Sequence, residues 1–206
     1  CAEDELGLGH SHDGIMVLDP SAIPGTPAAK HLKLSSDQIF EIGLTPNRAD
    51  AASHWGVARD LAALTGSKTI FPVIHPAEKG TGLDIRVTVE DANACPRYSG
   101  ITLSGLKVGP SPDWIKKQLE AIGVRSINNI VDITNYVLHE LGQPLHAFDA
   151  EKISGSAIRV KKLPAGTTFI TLDGTTRKLD ANDLMICDAE KGMCIAGVFG
   201  GQHSGV

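Results

Sequence analysis

An α+β class, with antiparallel sheets and a few packed helices, is what this sequence predicts, preceded by a small helix-containing segment. Three observations carry it. Residues 83–89 (LDIRVTV) alternate apolar and polar side chains, the mark of a half-buried strand. Two helical periods then follow one another, separated by Gly123. Four short apolar runs come last, and among them sits Asp173-Gly174, a two-residue hairpin signal. Helices grouped beside a run of strands favour α+β over a strict βα alternation.

From the start of the chain, residues 1–36 show little pattern. His10, His12 and Asp13 lie close together. A protein metal site needs several convergent ligands, and no second cluster is near, so an exposed loop is the simpler reading. Asp13-Gly14 makes a turn into the apolar run 15–18, and Pro20, Pro24, Gly25 and Pro27 form an irregular connector. Residues 35–44 alternate as a strand would, through Ile39, Phe40, Ile42 and Leu44. Thr45-Pro46-Asn47-Arg48 reads as a turn whose side chains satisfy nearby backbone groups. Asp50 or Ser53 caps a helix that runs to about Thr65, ends at Gly66 and carries Val57, Leu61 and Leu64 on one face. Residues 68–82, with Pro72, Pro76, Gly80 and Gly82, read as a linker and domain boundary.

Beyond the strand at 83–89, residues 98–103 are a second strand candidate. Ser111 is expected as N-cap, with Pro112 at the first helical position and Ile115, Leu119 and Ile122 as the buried stripe. A second helix runs from about Asn129 to Leu141. Gly142 ends it, and Pro144 keeps the next segment a loop. The apolar runs 158–161, 169–172, 184–187 and 193–198 are the remaining strand candidates. Gly197, Gly200 and Gly201 bring the backbone into turns or close approach.

Composition excludes several classes. Of the 206 residues 42% are hydrophobic and 21% charged, with a net charge of −5 and a pI near 5.9. Neither half has the basic excess of a general nucleic-acid surface, so DNA is not an expected partner. Arg159, Lys161 and Lys162 form a local basic group that a solvated strand face explains. No apolar run approaches the ~18 residues of a membrane span, and no membrane partner is expected. Cys1, Cys95, Cys187 and Cys194 lack metal or disulfide-framework spacing, and they fit a reducing, cytoplasmic setting. A chain that begins at Cys1 and stops at Val206 reads as a piece of something longer.

The densest chemistry lies in residues 126–149, SINNIVDITNYVLHELGQPLHAFD. Asn128, Asn129, Asp132, Thr134, Asn135, Gln143 and His146 are set in an apolar frame. A buried polar group without a partner costs about 1–3 kcal/mol, so such a run is either a satisfied network or a binding site. Asn128, Asn129 and Asp132 read as a network that sets the helix start. Thr134 and Asn135 are about 100° apart on a helix and can line adjacent walls. His146 titrates near neutrality in its unperturbed form, which suits it to orienting water. The same histidine can instead be a satisfied core residue. His139 is expected to face solvent or a subunit, and Arg48 and Arg97 to pair within the chain.

Three stretches together resemble one family: LTPNRADAASHWGVARDLAALTG (44–66), INNIVDITNYVLHELGQPLHAFD (127–149), and TLDGTTRKL followed by IAGVFGG (171–201). They are similar to the beta subunit of bacterial phenylalanyl-tRNA synthetases. The resemblance implies that residues 1–36 are the end of an inserted oligonucleotide-binding fold, residues 37–75 part of a small B1-type domain, and residues 76–206 a B3/B4-type editing domain, truncated at its C-terminus. It also implies a heterotetramer of two alpha and two beta subunits that charges tRNA(Phe), with ATP and Mg2+ used by the whole enzyme at the alpha subunit. No cofactor is expected on this fragment, which has neither a P-loop nor a dinucleotide fingerprint. Charging by the fragment alone is not expected.

The editing reaction implied is hydrolysis of tyrosine mischarged onto tRNA(Phe). An apolar pocket rejects an added hydroxyl only about a hundredfold, so a second, hydrolytic site is needed. By resemblance, the catalytic positions fall on His146, Thr134 and Asn135, and the substrate wall on Ala196, Gly197 and Pro144, with no metal. The family's acidic residue that reads the tyrosine hydroxyl falls beyond Val206, and Gly205 stands where the family usually has Glu. Two other readings compete. One is a non-catalytic scaffold for subunit assembly and tRNA positioning. The other is a metallohydrolase using His10, His12 and His146.

Overall fold

In a computed structural model describing residues 1–34, 37–76, 78–82 and 84–206, the chain divides into two units, Cys1–Phe40 and Glu41–Val206. The first is mostly irregular, with a 3-10 turn at Asp4–Leu6 and a one-turn helix α1 (Ala28–His31). Leu6, Ile15, Met16, Leu18 and Ile23 surround an open hollow of about 270 Å³. The apolar run 15–18 forms no strand. Nor do residues 37–44, where Ile39, Phe40, Ile42 and Leu44 are all exposed; Ser35 and Ser36 lie outside the described residues. Alternation alone does not make a strand when no neighbouring ladder takes its hydrogen bonds.

The second unit opens with a 3-10 turn at Ala49–Ala51 and helix α2 (His54–Thr65). The sequence predicts both ends of this helix. The Ser53 hydroxyl accepts the Gly56 amide at 2.9 Å, and Gly66 closes the helix at φ 69°. Gly56 is needed for packing: a Cβ there would lie 2.6 Å from the Cα of buried Ala51. The stripe Val57, Leu61, Leu64 is only partly covered, with Leu64 83% exposed. Arg48 closes the preceding turn by forking onto Asp50 (3.0 Å) and Asp60 (2.6 Å). Those bonds raise the guanidinium's proton affinity and hold Asp50 below its ordinary value.

Strand β1 (Arg86–Val89) follows, then helix α3 (Asp113–Ala121) and helix α4 (Asn129–Leu141). Residues 98–103, expected as a strand, are not one; Ile101 is exposed. Helix α3 begins one residue later than predicted, with Pro112 at the cap and no side-chain cap bond. The reason is that Ser111 donates its hydroxyl to Asp132 instead. Ile115 and Leu119 are buried as expected, while Ile122 stays half open. Helix α4 packs on both α2 and α3, with Trp114 edge-on to Tyr136 at 5.3 Å and the His54 Nδ1 3.0 Å from the His139 carbonyl.

After two 3-10 turns come β2 (Ala157–Lys162), β3 (Thr168–Ile170), β4 (Thr176–Lys178), β5 (Leu184–Cys187), β6 (Gly192–Ile195) and β7 (Phe199–Gly200). The main sheet has the order β1-β2-β5-β6-β7, and β3 and β4 form a separate hairpin. All its ladders but one are antiparallel; β1 pairs with β2 in parallel, Val87 opposite Ile158 and Val89 opposite Val160. A parallel pair needs a long crossover, and residues 90–156 with α3 and α4 supply it.

Apolar side chains fill both faces of this sheet. One cluster gathers Ile153, Ile158, Val160, Ile186, Met193 and Cys194, with Tyr98, Phe148 and Ala196 packed against it. The other gathers Met185 and Cys187 under Phe169 and Leu179 of the β3–β4 hairpin. Strand β5 (LMIC) lies inside both clusters, which is why it reads as a continuous apolar run rather than an alternating one. Burial pushes the Cys194 thiol up to about 11, so it behaves as a small apolar residue. Of the basic group on β2, Lys162 pairs with Asp91 at 3.1 Å.

The hairpin does turn at Asp173-Gly174, but through the three residues 172–174 rather than the two-residue turn expected: the Thr171 amide still bonds the Thr175 carbonyl, and only Gly174 takes a positive φ, 75°. Asp173 accepts from the Thr171 hydroxyl and the Thr175 amide, which holds its carboxyl down at about 2. The hairpin is stitched to the main sheet by a Thr171–Gly201 bridge and a bond from the Leu172 amide to the Gly200 carbonyl at 3.0 Å. Asp188 is buried between β5 and β6. Its burial cost is outweighed by the Lys191, Glu190 and Ser154 amides, and its carboxyl is held below the ordinary range.

Candidate functional site

The start of α4 is a polar network, as the sequence suggests. The Asn128 side chain caps the helix, accepting the amides of Ile130 (3.0 Å) and Val131 (2.9 Å). Asn129 reaches the other way, to the Gly109 amide and the Lys107 carbonyl. Asp132 is fully buried. It accepts from the hydroxyls of Ser111 and Ser126 and from the Ile127 amide. Burial works against its charge, but these donors, led by Ser111, outweigh it and keep the carboxyl below its ordinary value. Every group here has a partner inside the chain, so this half of the stretch is architecture.

One turn further along α4, Thr134 and Asn135 are both half-buried. The Thr134 hydroxyl turns back onto its own helix and donates to the Val131 carbonyl at 2.7 Å. Its lone pairs remain available to accept, but its proton is committed. The Asn135 amide makes no side-chain hydrogen bond among the described residues.

Gly142, at φ 78°, ends α4 and lies against Ser53 of the α2 cap. Gln143, Pro144 and Leu145 then run exposed to His146. The imidazole stands edge-on to Phe148, with centroids 4.5 Å apart at 63°. It also lies over Gly200, where a Cβ would meet its Cε1 at 2.9 Å. His146 remains open to solvent on one side, yet the packing of its ring desolvates it enough to lower its proton affinity.

Ala196 and Gly197 form the turn that joins β6 to β7. The Val198 amide donates to the Ile195 carbonyl at 3.0 Å, and Gly197 takes the positive φ of 71° that the third turn position requires. Ala196 packs against the core cluster, while Gly197 is exposed with no atom near the place of a Cβ. The structure thus sets His146 against Gly200 of β7, with Ala196 and Gly197 in the turn that leads into that strand. Thr134 and Asn135 belong to α4, whose main neighbours are α2 and α3. Pro144 stands on the loop between the two groups.

Three residues at this end were not singled out by sequence reasoning. Phe148 supports the imidazole, Leu172 flanks Gly200 from the hairpin, and Phe169 fills the space left by Gly201. Only the Gly200-Gly201 pair carried a signal, as a point of close approach. In the first unit, His12 pairs with Asp4 at 2.9 Å rather than with His10 or Asp13. Among the described residues no three His, Cys, Asp or Glu side chains are placed to hold a metal. Among the described residues no helix is long and apolar enough to cross a membrane.

The fold is a mixed α/β domain, with a partly open histidine against the glycine-rich end of its sheet. The chain belongs to the B3/4 domain family, which matches residues 94–206. Along its whole length it is 55% identical to the phenylalanine–tRNA ligase beta subunit of Bacteroides fragilis and 52% identical to that of Porphyromonas gingivalis. Over 99% of its length it is 49% identical to the same subunit of Geobacter sulfurreducens. The chain spans 26% of the length of each of these relatives.

Proposed function

We propose that this chain is the editing region of a phenylalanine–tRNA ligase beta subunit and hydrolyses tyrosine mischarged onto tRNA(Phe). The observation that carries the reading is an imidazole desolvated against the glycine-lined sheet end at Gly200, with open space beside Gly197 for an aromatic ring. In the proposed reaction a water attacks the ester carbonyl. The bond to the terminal ribose oxygen breaks, the water's proton passes to that oxygen, and free tyrosine leaves. His146 accepts a hydrogen bond from the water and orients it, and the tRNA's own terminal hydroxyl assists. Thr134 accepts from the substrate, and the Asn135 amide donates to the developing oxyanion. Pro144 lines the entrance.

In this reading the whole enzyme is a cytoplasmic assembly of two alpha and two beta subunits. It joins phenylalanine to tRNA(Phe) with ATP and Mg2+ at the alpha subunit. The test is deacylation of tyrosyl-tRNA(Phe) by the assembled enzyme carrying His146→Ala or Ala196→Trp. A loss of about 10²-fold in kcat is expected for the first, as for removal of a positioned group, and a rise in KM for the second. Wild-type rates in both variants would sink the reading.

The committed Thr134 proton favours a second reading, a non-catalytic scaffold for subunit assembly and tRNA positioning. Tyrosine separates the two. Binding that perturbs Thr134 and Gly197 together belongs to editing, and no binding at millimolar tyrosine belongs to the scaffold.

A further inference from the structure

A histidine that orients water is ordinarily held by a hydrogen bond from its other ring nitrogen to a carboxylate or a carbonyl. His146 has no such partner among the described residues. Desolvation alone moves its proton affinity, and no charge or hydrogen bond contributes. The loop that carries it is exposed at Gln143, Pro144 and Leu145, so the backbone does not lock the ring either. Two contacts remain. The face of Phe148 meets the imidazole at 4.5 Å and 63°, and Gly200 lies beneath it with no room for a methyl group. Phe148 is itself anchored, packed on the cluster of Ile153, Ile158, Val160 and Met193. The ring's orientation is thus inherited from the hydrophobic core through an aromatic side chain.

We propose that Phe148 is the positioning residue of His146, fixing the imidazole plane over the backbone of Gly200. Its activity readout rests on the editing function proposed above; its spectroscopic readout does not. Phe148 touches no reacting atom, and its effect is transmitted through the histidine. Gly200 completes the clamp by leaving the floor flat.

The test compares Phe148→Leu and the unbranched, more flexible Phe148→Met with Phe148→Tyr, which keeps the aromatic ring. In the chain labelled with 13C-histidine, the His146 signal is assigned by its loss in His146→Gln. Its titration midpoint should rise toward the ordinary value of about 6.5 in the Leu and Met variants and stay low in the Tyr variant. In the assembled ligase, the Leu and Met variants should lose about 10-fold in the kcat of deacylation with KM unchanged. The Tyr variant should stay within about 2-fold of wild type, and phenylalanine charging by all of them should be unaffected. An unmoved midpoint in both aliphatic variants overturns the proposal. So does an equal loss in the Tyr and aliphatic variants, which would mark simple packing. If His146→Gln itself deacylates at the wild-type rate, the editing function fails, while the titration still decides whether Phe148 positions the ring.

Discussion

Gly200 and Gly201 do different work although they are neighbours. A methyl group at Gly200 would press on two side chains, Leu172 at 2.8 Å and His146 at 2.9 Å, which can both move. One at Gly201 would press on the Met193 carbonyl at 2.6 Å as well as the Phe169 ring. Backbone in a sheet does not yield as a side chain does. Gly201→Ala is therefore expected to cost more stability than Gly200→Ala, with overpacking of this kind typically worth about 1–3 kcal/mol, measured by denaturant unfolding. Gly200→Ala should instead show its main effect on His146, as a displaced imidazole signal. Asp132 gives a second prediction. Asp132→Ala should destabilise by about 1–3 kcal/mol, since Ser111, Ser126 and the Ile127 amide lose their acceptor. The folded carboxyl is held below its unfolded value of about 3.9, so its contribution is full above that value. It is lost as the pH falls through the lower folded value, and acid unfolding of the Asp132→Ala variant should be correspondingly flatter. At this scale, Asp132 and Asn128 were legible as structural because capping is local. Phe148 was not, because its role depends on a ring and a glycine that the chain supplies more than fifty residues apart.

Elements were legible wherever their signals were local. Ser53 and Gly66 bound α2, Asn128 and Gly142 bound α4, and Asp173-Gly174 turns the hairpin, all within a few residues of the pattern that announced them. Asn128→Ala should cost about 0.5–2 kcal/mol, the usual worth of an N-cap, read as a lowered unfolding midpoint. Ser111 misled because its hydroxyl was claimed by Asp132, twenty-one residues on, and a cap competes with any better partner. The strand expected at 35–44, as far as its described residues 37–44 show, and the one at 98–103 failed for another reason. An alternating pattern reports an amphipathic ribbon, but only a paired neighbour makes it a strand, and pairing is not written in the ribbon itself. The parallel β1–β2 ladder was hidden for the same reason. The site divides along this line too: the His146 loop and the Ala196-Gly197 turn could be named from a resemblance, but their common placement beside β7 required the sheet.

Across the whole molecule, large apolar side chains remain open in quantity. Ile70 (91% exposed), Val73 (80%) and Ile101 (79%) lie on irregular segments, and Leu64 (83%) on α2. Apolar side chains left this open are surface to which a hydrophobic dye can bind. The chain, which spans 26% of its relatives' length, is thus expected to bind a hydrophobic dye such as ANS in its folded state, before any thermal transition. Dye binding that begins only at the melting transition would contradict this. With no phosphate-binding loop in the sequence, ATP-dependent charging of tRNA by this chain alone is expected to be undetectable, and charging above background would overturn the division of labour proposed.

The parallel pairing of β1 with β2 also fixes an order of events during synthesis. Strands β2, β5 and β6 form antiparallel ladders with near neighbours, and helix α4 folds on local caps. Strand β1 leaves the ribosome first but has no partner until β2 emerges, sixty-eight residues later. At a bacterial elongation rate of about 5–20 residues per second, that is a wait of roughly 3 to 14 seconds with Val87 and Val89 uncovered. The first strand made waits longest for its partner, so the nascent chain passes through a stage in which an apolar edge is open to misdocking. A slowed ribosome between codons 90 and 156 would lengthen that stage. The yield of folded protein should therefore be more sensitive to pausing there than after Lys162, where the remaining ladders close between near neighbours.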